Sequence, residues 1–195
     1  MISNEKNNKL LKDIKNFYNV KNNLDTYKHV LKAAKISEEL ALKFNLDSTK
    51  CYLAGLLHDI STYLSPNEML LYADKHNWSI NEIENEYPNL LHQRISSNMA
   101  NQLFDITDLD ILNSIKCHTT LKNNPDKFEM VLFIADKLSW GEETAFYKQV
   151  SVDLNNSIQQ ACLTYINLAI EYRLILKPHP DLLEAKDYFE KNYNL

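Results

Sequence analysis

Glycine is almost missing from this 195-residue sequence, which contains only Gly55 and Gly141. Two distant glycines cannot build the phosphate loop G-x-x-x-x-G-K or the dinucleotide fingerprint G-x-G-x-x-G. If the protein handles phosphates, something other than a glycine loop must hold them.

Basic side chains are also scarce. The sequence has 21 Lys+Arg against 26 Asp+Glu, a formal net charge of -5, and its only arginines are Arg94 and Arg173. Affinity for a nucleic-acid backbone comes from clustered Lys and Arg. The composition therefore argues against a nucleic-acid partner.

Long apolar runs and paired cysteines are absent as well. No stretch approaches the roughly 20 apolar residues that a membrane-spanning helix requires. The first residues, MISNEKNNKLLKD, lack the apolar core of a secretion signal. Cys51, Cys117 and Cys162 stand alone, without Cys-x-x-Cys spacing. We therefore predict a cytoplasmic protein that has reduced, packed thiols and no membrane partner.

The apolar residues that are present follow a helical period nearly throughout, with no sustained strand-type alternation. We predict an all-α protein and, from its length, one compact helical domain over residues 1–195, with a helix at about 1–20 packed on it. A looser segment is expected at 76–89. The main helices are predicted at about 24–44, up to Leu57, 66–75, 90–103, after Thr107, through the apolar run 130–135, at about 153–176 and from Pro180 onward.

A histidine and an aspartate, His58 and Asp59, end the apolar run 52–57. Burying an unpaired carboxylate costs several kcal/mol or more, so the pair must be hydrogen-bonded, neutralised or bound to a cation. Similar polar residues sit at or near the ends of other apolar helix faces. The full set is His29, His58, His92 and His118, with Asp59 and Asp136.

Imidazoles and carboxylates without thiolates suit iron, manganese or zinc, and a carboxylate can bridge two ions. Spacing alone cannot prove that the six residues converge. Taken singly, a histidine on an apolar face is more often a satisfied core residue than a ligand, and His76 and His179 are interpreted as ordinary surface residues. The adjacent His58-Asp59 pair favours metal, because one ion satisfies both buried groups.

The order His29, His58-Asp59, Asp136 resembles the H...HD...D pattern of the HD-domain metal-dependent phosphohydrolase superfamily. The stretches LLHQRISSNMA and IKCHTT resemble, more narrowly, segments that supply two further histidines in the YqeK family of symmetrical diadenosine tetraphosphate hydrolases. The closing PHPDLLEAKDYF is similar to that family's C-terminal segment. The resemblance covers nearly the whole chain.

The resemblance implies two metal ions, with iron favoured and manganese or zinc as alternatives, and water activated by them as the nucleophile. One ion would be held by His29, His58, Asp59 and Asp136, and the other by Asp59, His92 and His118. Asp59 would then bridge the two ions as a catalytic residue. The implied reaction splits a dinucleoside polyphosphate, diadenosine tetraphosphate, into two ADP, and relatives of this type suggest a homodimer.

Substrate contacts are predicted from proximity to these ligands. Arg94 lies two residues after His92, and its guanidinium fork could hold a phosphate oxygen, so we assign it a catalytic and substrate-binding role. Lys28, Thr119 and Lys122 are weaker candidates, equally well explained as solvated residues at helix ends.

Three positions depart from the pattern that the sequence resembles. Thr62 stands where many HD enzymes carry lysine, Gln93 where the family usually has glycine, and the stretch 139–147 differs from the family's usual Glu-Pro-x-Arg. Three alternatives therefore stay open. These are hydrolysis of another nucleotide, oxygen-dependent chemistry by a di-iron pair, and a metal- or nucleotide-binding module without turnover.

Overall fold

A computed structural model describes residues 4–21, 23–141 and 145–193, and the side chains from residue 8 onward except that of residue 145. Across these ranges every regular element is helical, which confirms the predicted all-α class, and no helix is long and apolar enough to cross a membrane. The helices are α1 Asn4–Val20, α2 Leu24–Lys43, α3 Ser48–Leu57, α4 Pro66–Lys75, α5 Glu82–Glu86, a 3-10 turn Pro88–Leu91, α6 His92–Phe104, α7 Leu109–Cys117, α8 Lys127–Ser139, α9 Ala145–Asp153, α10 Ile158–Glu171 and α11 Pro180–Tyr193.

Side-chain caps explain where several of these helices begin. The Asp47 carboxylate accepts hydrogen bonds from the backbone N–H of Thr49 and Lys50 at the start of α3. Ser65 and Glu68 form a reciprocal capping box at α4, which also has Pro66 in its first turn. Such caps satisfy backbone donors that a helix start leaves free, so the sequence fixes these boundaries locally.

The helix predicted at about 153–176 is present but shorter, as α10. The chain instead ends α9 at Asp153, turns, and starts α10 after Ser157, whose hydroxyl accepts from the backbone N–H of Gln160. The turn sequence Asn-Asn-Ser explains the break, because these side chains compete with the helix for backbone hydrogen bonds. The segment at 76–89, expected to be looser, is also more ordered than expected, since it contains α5 and the start of the 3-10 turn.

The helices α2 and α3 approach each other unusually closely at Gly55. A Cβ atom built on this glycine would lie 2.5 Å from Cα of Ala34, so any side chain here would force the two helices apart. This contact brings the early turns of α2 beside the end of α3. His29 and His58, which lie at those two places, are thereby held together.

The core has two clusters of buried apolar side chains. One includes Leu57, Ile95 and Ile115, and the other is centred on Phe133 and Ile166. The helix α8 contributes to both clusters, and its residues 129–137 are all buried. A polar side chain near the end of such a helix is therefore held in a fixed position by its neighbours.

All three cysteines are buried free thiols, as predicted. Burial raises the pKa of the Cys51 thiol to about 12. The N-terminal helix α1 also packs on the core, because Tyr18 is fully buried and its hydroxyl donates to the carbonyl of Leu56 at 3.1 Å. The assignment of residues 1–195 to one domain stays a prediction.

The interpretation of His179 as a surface residue is wrong. Its side chain is only 5% exposed, and Nε2 lies 2.8 Å from the side-chain amide nitrogen of Asn81. The imidazole joins the start of α11 to the segment before α5, so its proline-flanked position marks a packed junction. His76 is partly buried and stacks on Tyr72, with ring centroids 4.3 Å apart.

Candidate metal centre

The fold brings all six predicted metal ligands to one place, although they come from five helices or their ends. His29 lies in the second turn of α2, His58 and His118 follow the last residues of α3 and α7, His92 begins α6, and Asp136 lies near the end of α8. Three overlapping groups of these side chains have ligand atoms within 4.8 Å of one another. The predicted convergence is therefore present.

One side of the cluster is formed around Asp136. Its Oδ1 atom lies 3.1 Å from Nε2 of His29 and 3.5 Å from Nε2 of His58. The Oδ2 atom of Asp59 lies 3.7 Å and 3.5 Å from the same two nitrogens. Two imidazoles and two carboxylates thus face one point.

The other side of the cluster is formed around the second oxygen of Asp59. This Oδ1 atom lies 3.3 Å from Nε2 of His92 and 3.6 Å from Nε2 of His118. Because the two oxygens of Asp59 face different groups, the carboxylate has the arrangement that a bridging ligand requires.

Backbone hydrogen bonds fix the orientation of three of the four imidazoles. In each ring Nδ1 faces a backbone carbonyl, which can only accept, so Nδ1 carries a proton, and Nε2 directs its lone pair at the centre whenever the ring is neutral. The pairs are His58 with Gly55 at 2.8 Å, His92 with Asn89 at 2.5 Å and His118 with Ile115 at 2.8 Å.

A hydroxyl fixes the fourth imidazole in the same sense. The Ser139 hydroxyl donates its one proton to the carbonyl of Asp136 at 2.6 Å, so it must accept from Nδ1 of His29, 2.9 Å away. Nε2 of His29 therefore also presents a lone pair to the centre. Ser139 was not identified from the sequence, because its role depends on which carbonyl takes its proton.

The donor set fits a metal ion. Nε2 of His92 and Nε2 of His118 lie 3.0 Å apart with their lone pairs facing each other, an arrangement that no hydrogen bond between neutral rings can satisfy. Nearby, Oδ1 of Asp59 is buried and accepts no hydrogen bond. A cation would satisfy all three atoms at once, and imidazole with carboxylate is a common ligand set for transition metals.

Electrostatics keep the two carboxylates ionised, as ligation requires. Burial raises the pKa of Asp59, but His58, His118 and His92 together lower it well below its ordinary range. Burial likewise opposes ionisation of Asp136, and adjacent Lys137 with the two nearest histidines outweighs it. Burial also lowers the pKa of His118 to about 4, which keeps this ring neutral.

The two carboxylates favour a proton on His58 in the absence of metal. Burial lowers its pKa, but the charge of Asp59 and the contacts with Asp136 outweigh burial and raise the pKa to about 9. Near neutral pH the imidazole therefore carries a proton that it must lose to become a metal ligand.

Lys137 supports the cluster and was not identified from the sequence. Its ammonium donates to Oδ2 of Asp136 at 2.7 Å and to the carbonyl of His118 at 3.0 Å, and the side chain is buried. With Oδ2 engaged in this way, Asp136 turns Oδ1 toward His29 and His58. The position of Lys137 in the largely apolar helix α8 could have indicated its role from the sequence, since a buried ammonium group is almost always paired with an anion.

A cleft of about 990 Å³ opens over the cluster and is lined by four of the six residues, Asp59, His92, His118 and Asp136. Lys137, Thr62 and Thr119 line it as well. The Thr119 hydroxyl lies 3.2 Å from Nε2 of His92. Among the predicted substrate-contact residues, Thr119 is therefore placed where a substrate would enter.

The other predicted substrate contacts lie elsewhere. Lys28 is exposed and pairs with Asp25 at 2.9 Å. Lys122 pairs with buried Glu129 at 2.7 Å and, with Arg94, lines a separate cavity of about 520 Å³. The structure does not bring these three cations together with the six clustered residues.

Arg94 instead has the contacts of a structural residue. Its guanidinium lies 3.2 Å from the buried carboxylate of Glu84, donates to the carbonyl of Ser79 at 3.0 Å and stacks over Trp78. The physical reason is helical geometry: two residues along a helix correspond to a rotation of about 200°, so Arg94 points away from the face that carries His92.

We expect Arg94→Ala to lower the free energy of unfolding by about 3 kcal/mol, because the buried Glu84 carboxylate loses the guanidinium that balances its charge. Denaturant titration measures this loss, and metal content should not change. Lys28→Ala is the matched control, since the pair that it breaks is exposed to solvent and its loss should leave stability nearly unchanged. An Arg94→Ala protein of normal stability with a raised KM would instead support the role assigned from the sequence.

Comparison with known proteins identifies the family. The sequence profile of the HD domain matches residues 26–141, and this chain belongs to that family. The chain is 35% identical over 147 residues to an uncharacterized protein in the pepC 5' region of Lactococcus lactis subsp. cremoris, covering 74% of this chain and 75% of the relative.

The chain is also similar to a second relative in sequence and to a solved structure in fold. A Staphylococcus aureus protein named bis(5'-nucleosyl)-tetraphosphatase, symmetrical, is 30% identical over 115 residues, covering 59% of each chain. A crystal structure of a predicted HD superfamily hydrolase involved in NAD metabolism from Clostridium acetobutylicum superposes with a TM-score of 0.87 over 93% of this chain and 97% of the other. At 23% identity the latter likeness shows the fold alone.

Proposed function

We propose that this protein is a metal-dependent HD phosphohydrolase that cleaves a nucleotide phosphoanhydride, with symmetrical hydrolysis of diadenosine tetraphosphate to two ADP as the leading reaction. The observation that carries the proposal is the carboxylate of Asp59, whose two oxygens face two separate groups of imidazoles at the base of the cleft. The name of the Staphylococcus aureus relative supports this choice of substrate.

The six clustered side chains are the proposed ligands. His29, His58 and Asp136 would hold one ion, His92 and His118 the other, and Asp59 both. When bound, two such ions supply activated water and neutralise the charge that develops on the phosphate. Iron is the favoured metal, and manganese or zinc would suit the same imidazole and carboxylate donors.

Other residues of the chain hold this arrangement in place. Ser139 and three backbone carbonyls keep the imidazoles in one tautomer, and Lys137 keeps Asp136 turned toward the cluster. The Thr119 hydroxyl lies at the edge of the cluster, where it can donate to a phosphate oxygen. With ions bound, this arrangement would provide a cationic site for phosphate without a glycine loop.

The direct test is product analysis with protein loaded separately with iron, manganese and zinc. Diadenosine tetraphosphate should give ADP as the sole nucleotide product, whereas AMP plus ATP would exclude symmetrical cleavage. A panel of other nucleotides tests the substrate assignment. Nucleotide binding without turnover with any metal would favour a binding module, and oxygen consumption coupled to turnover would favour a di-iron oxygenase. Homodimer formation and a cytoplasmic location stay predictions.

A further inference from the structure

Trp140 is exposed beside the proposed metal centre. It follows the last residue of α8, its side chain is 63% exposed, and it lines the cleft that Asp59 and Asp136 also line. Part of the indole rests on His29, with ring centroids 4.4 Å apart and an angle of 30° between the planes. Most of the indole surface stays open, and exposed apolar surface next to a polar site often marks a binding surface.

The surroundings of Trp140 give the cleft two chemical halves. Tyr87, Leu174 and Leu176 also line it and are 41%, 62% and 75% exposed. The clustered histidines and aspartates provide the polar half, and these aromatic and aliphatic side chains the apolar half. A ligand that fits both halves carries phosphate at one end and a flat, weakly polar group at the other, as a nucleotide does.

The helix places the indole within reach of a nucleotide held at the cluster. Trp140 lies four residues after Asp136, and side chains at this spacing share one face of a helix about one turn apart. The indole therefore borders the proposed phosphate site. A nucleoside extending from that site along the cleft wall would pass over the open part of the indole.

We propose that Trp140 is the stacking platform for a nucleobase of the substrate, an inference that rests on the proposed function. Stacking on an aromatic side chain is sequence-tolerant, because every base has a π-face. Trp140 thus contributes to binding any nucleoside phosphate and selects nucleotides over inorganic polyphosphates.

The chain offers a direct reporter of this contact, because its only tryptophans are Trp78 and Trp140. In a Trp78→Phe variant all tryptophan emission comes from Trp140. The full chain, loaded with zinc because this ion does not quench by redox chemistry, is titrated with ADP and with pyrophosphate. ADP should change the emission saturably, and pyrophosphate should bind in calorimetry with little change in emission.

Substitutions at Trp140 distinguish stacking on a nucleobase from mere shielding of the His29 imidazole. Trp140→Leu keeps an apolar side chain over the imidazole but removes the aromatic face, so it should weaken ADP binding roughly 5- to 150-fold and leave pyrophosphate binding and zinc content unchanged. Trp140→Phe should recover part of the loss. Trp78→Phe is the matched change at the other tryptophan and should leave ADP affinity unchanged.

The outcomes that overturn the inference are distinct from those that overturn the function. ADP binding in calorimetry without any change in Trp140 emission, or equal ADP affinity in Trp140→Leu, would overturn the stacking role alone. Loss of zinc from Trp140→Leu would assign the indole to covering His29 and would also overturn it. Absence of ADP binding to the zinc-loaded protein would overturn the proposed function and this inference together.

Discussion

Replacing Asp59 with asparagine should lower the turnover of diadenosine tetraphosphate by about a thousandfold or more. An amide has one oxygen where the carboxylate has two, so it cannot face both groups of imidazoles, which now lie 3.3–3.7 Å from the two carboxylate oxygens. Losing the joint action of two ions removes several kcal/mol of transition-state stabilisation, and each 1.4 kcal/mol is about tenfold in rate.

The measurement is kcat with product chromatography, together with metal content per chain. We expect the Asp59→Asn protein to bind fewer than two ions and to stay folded, since the two side chains are nearly isosteric. Asp74→Asn, the same chemical change at an exposed position of α4, is the matched control and should leave kcat unchanged. A variant at position 59 with normal kcat and two ions would show that another residue bridges them.

The ligand cluster was predictable because its signal is local chemistry. A histidine and an aspartate directly after a run of apolar residues need a common partner wherever the chain folds, and the other four residues share that setting on separate helices. The distances could not be predicted, because they depend on how closely α2 and α3 approach at Gly55.

Residues whose roles depend on orientation were not identified from the sequence or lie elsewhere than expected. Arg94 is close to His92 in sequence but points to the opposite side of α6, where Glu84 binds it. Lys137 acts through its hydrogen bond to Oδ2 of Asp136, and Ser139 through the proton that its hydroxyl donates to the backbone carbonyl of Asp136. The periodicity of apolar residues predicts which face of a helix is buried, but it does not predict which polar atoms form hydrogen bonds or ion pairs with each other.

Removing the metal should lower the melting midpoint on the order of 10 °C. An ion that binds the folded chain at a thousand times its Kd adds about 4 kcal/mol of stability, and for a chain of this length 1 kcal/mol corresponds to about 2–4 °C. Without the ion, the carboxylates of Asp59 and buried Asp136 both stay close to Nε2 of His29, at 3.7 Å and 3.1 Å, and the lone pairs of His92 and His118 stay opposed at 3.0 Å.

Thermal melts of protein with and without excess chelator measure this difference. The Asp59→Asn variant, which lacks the shared ligand, is the control and should shift much less when chelator is added. Equal midpoints for the native sequence would mean that the carboxylates are satisfied without an ion. The candidate for that role is the proton of His58, whose pKa of about 9 in the metal-free protein keeps a positive charge between Asp59 and Asp136 near neutral pH. Repeating the melts above pH 9 separates the two cases, because deprotonating His58 removes that compensation and should make the chelator effect larger.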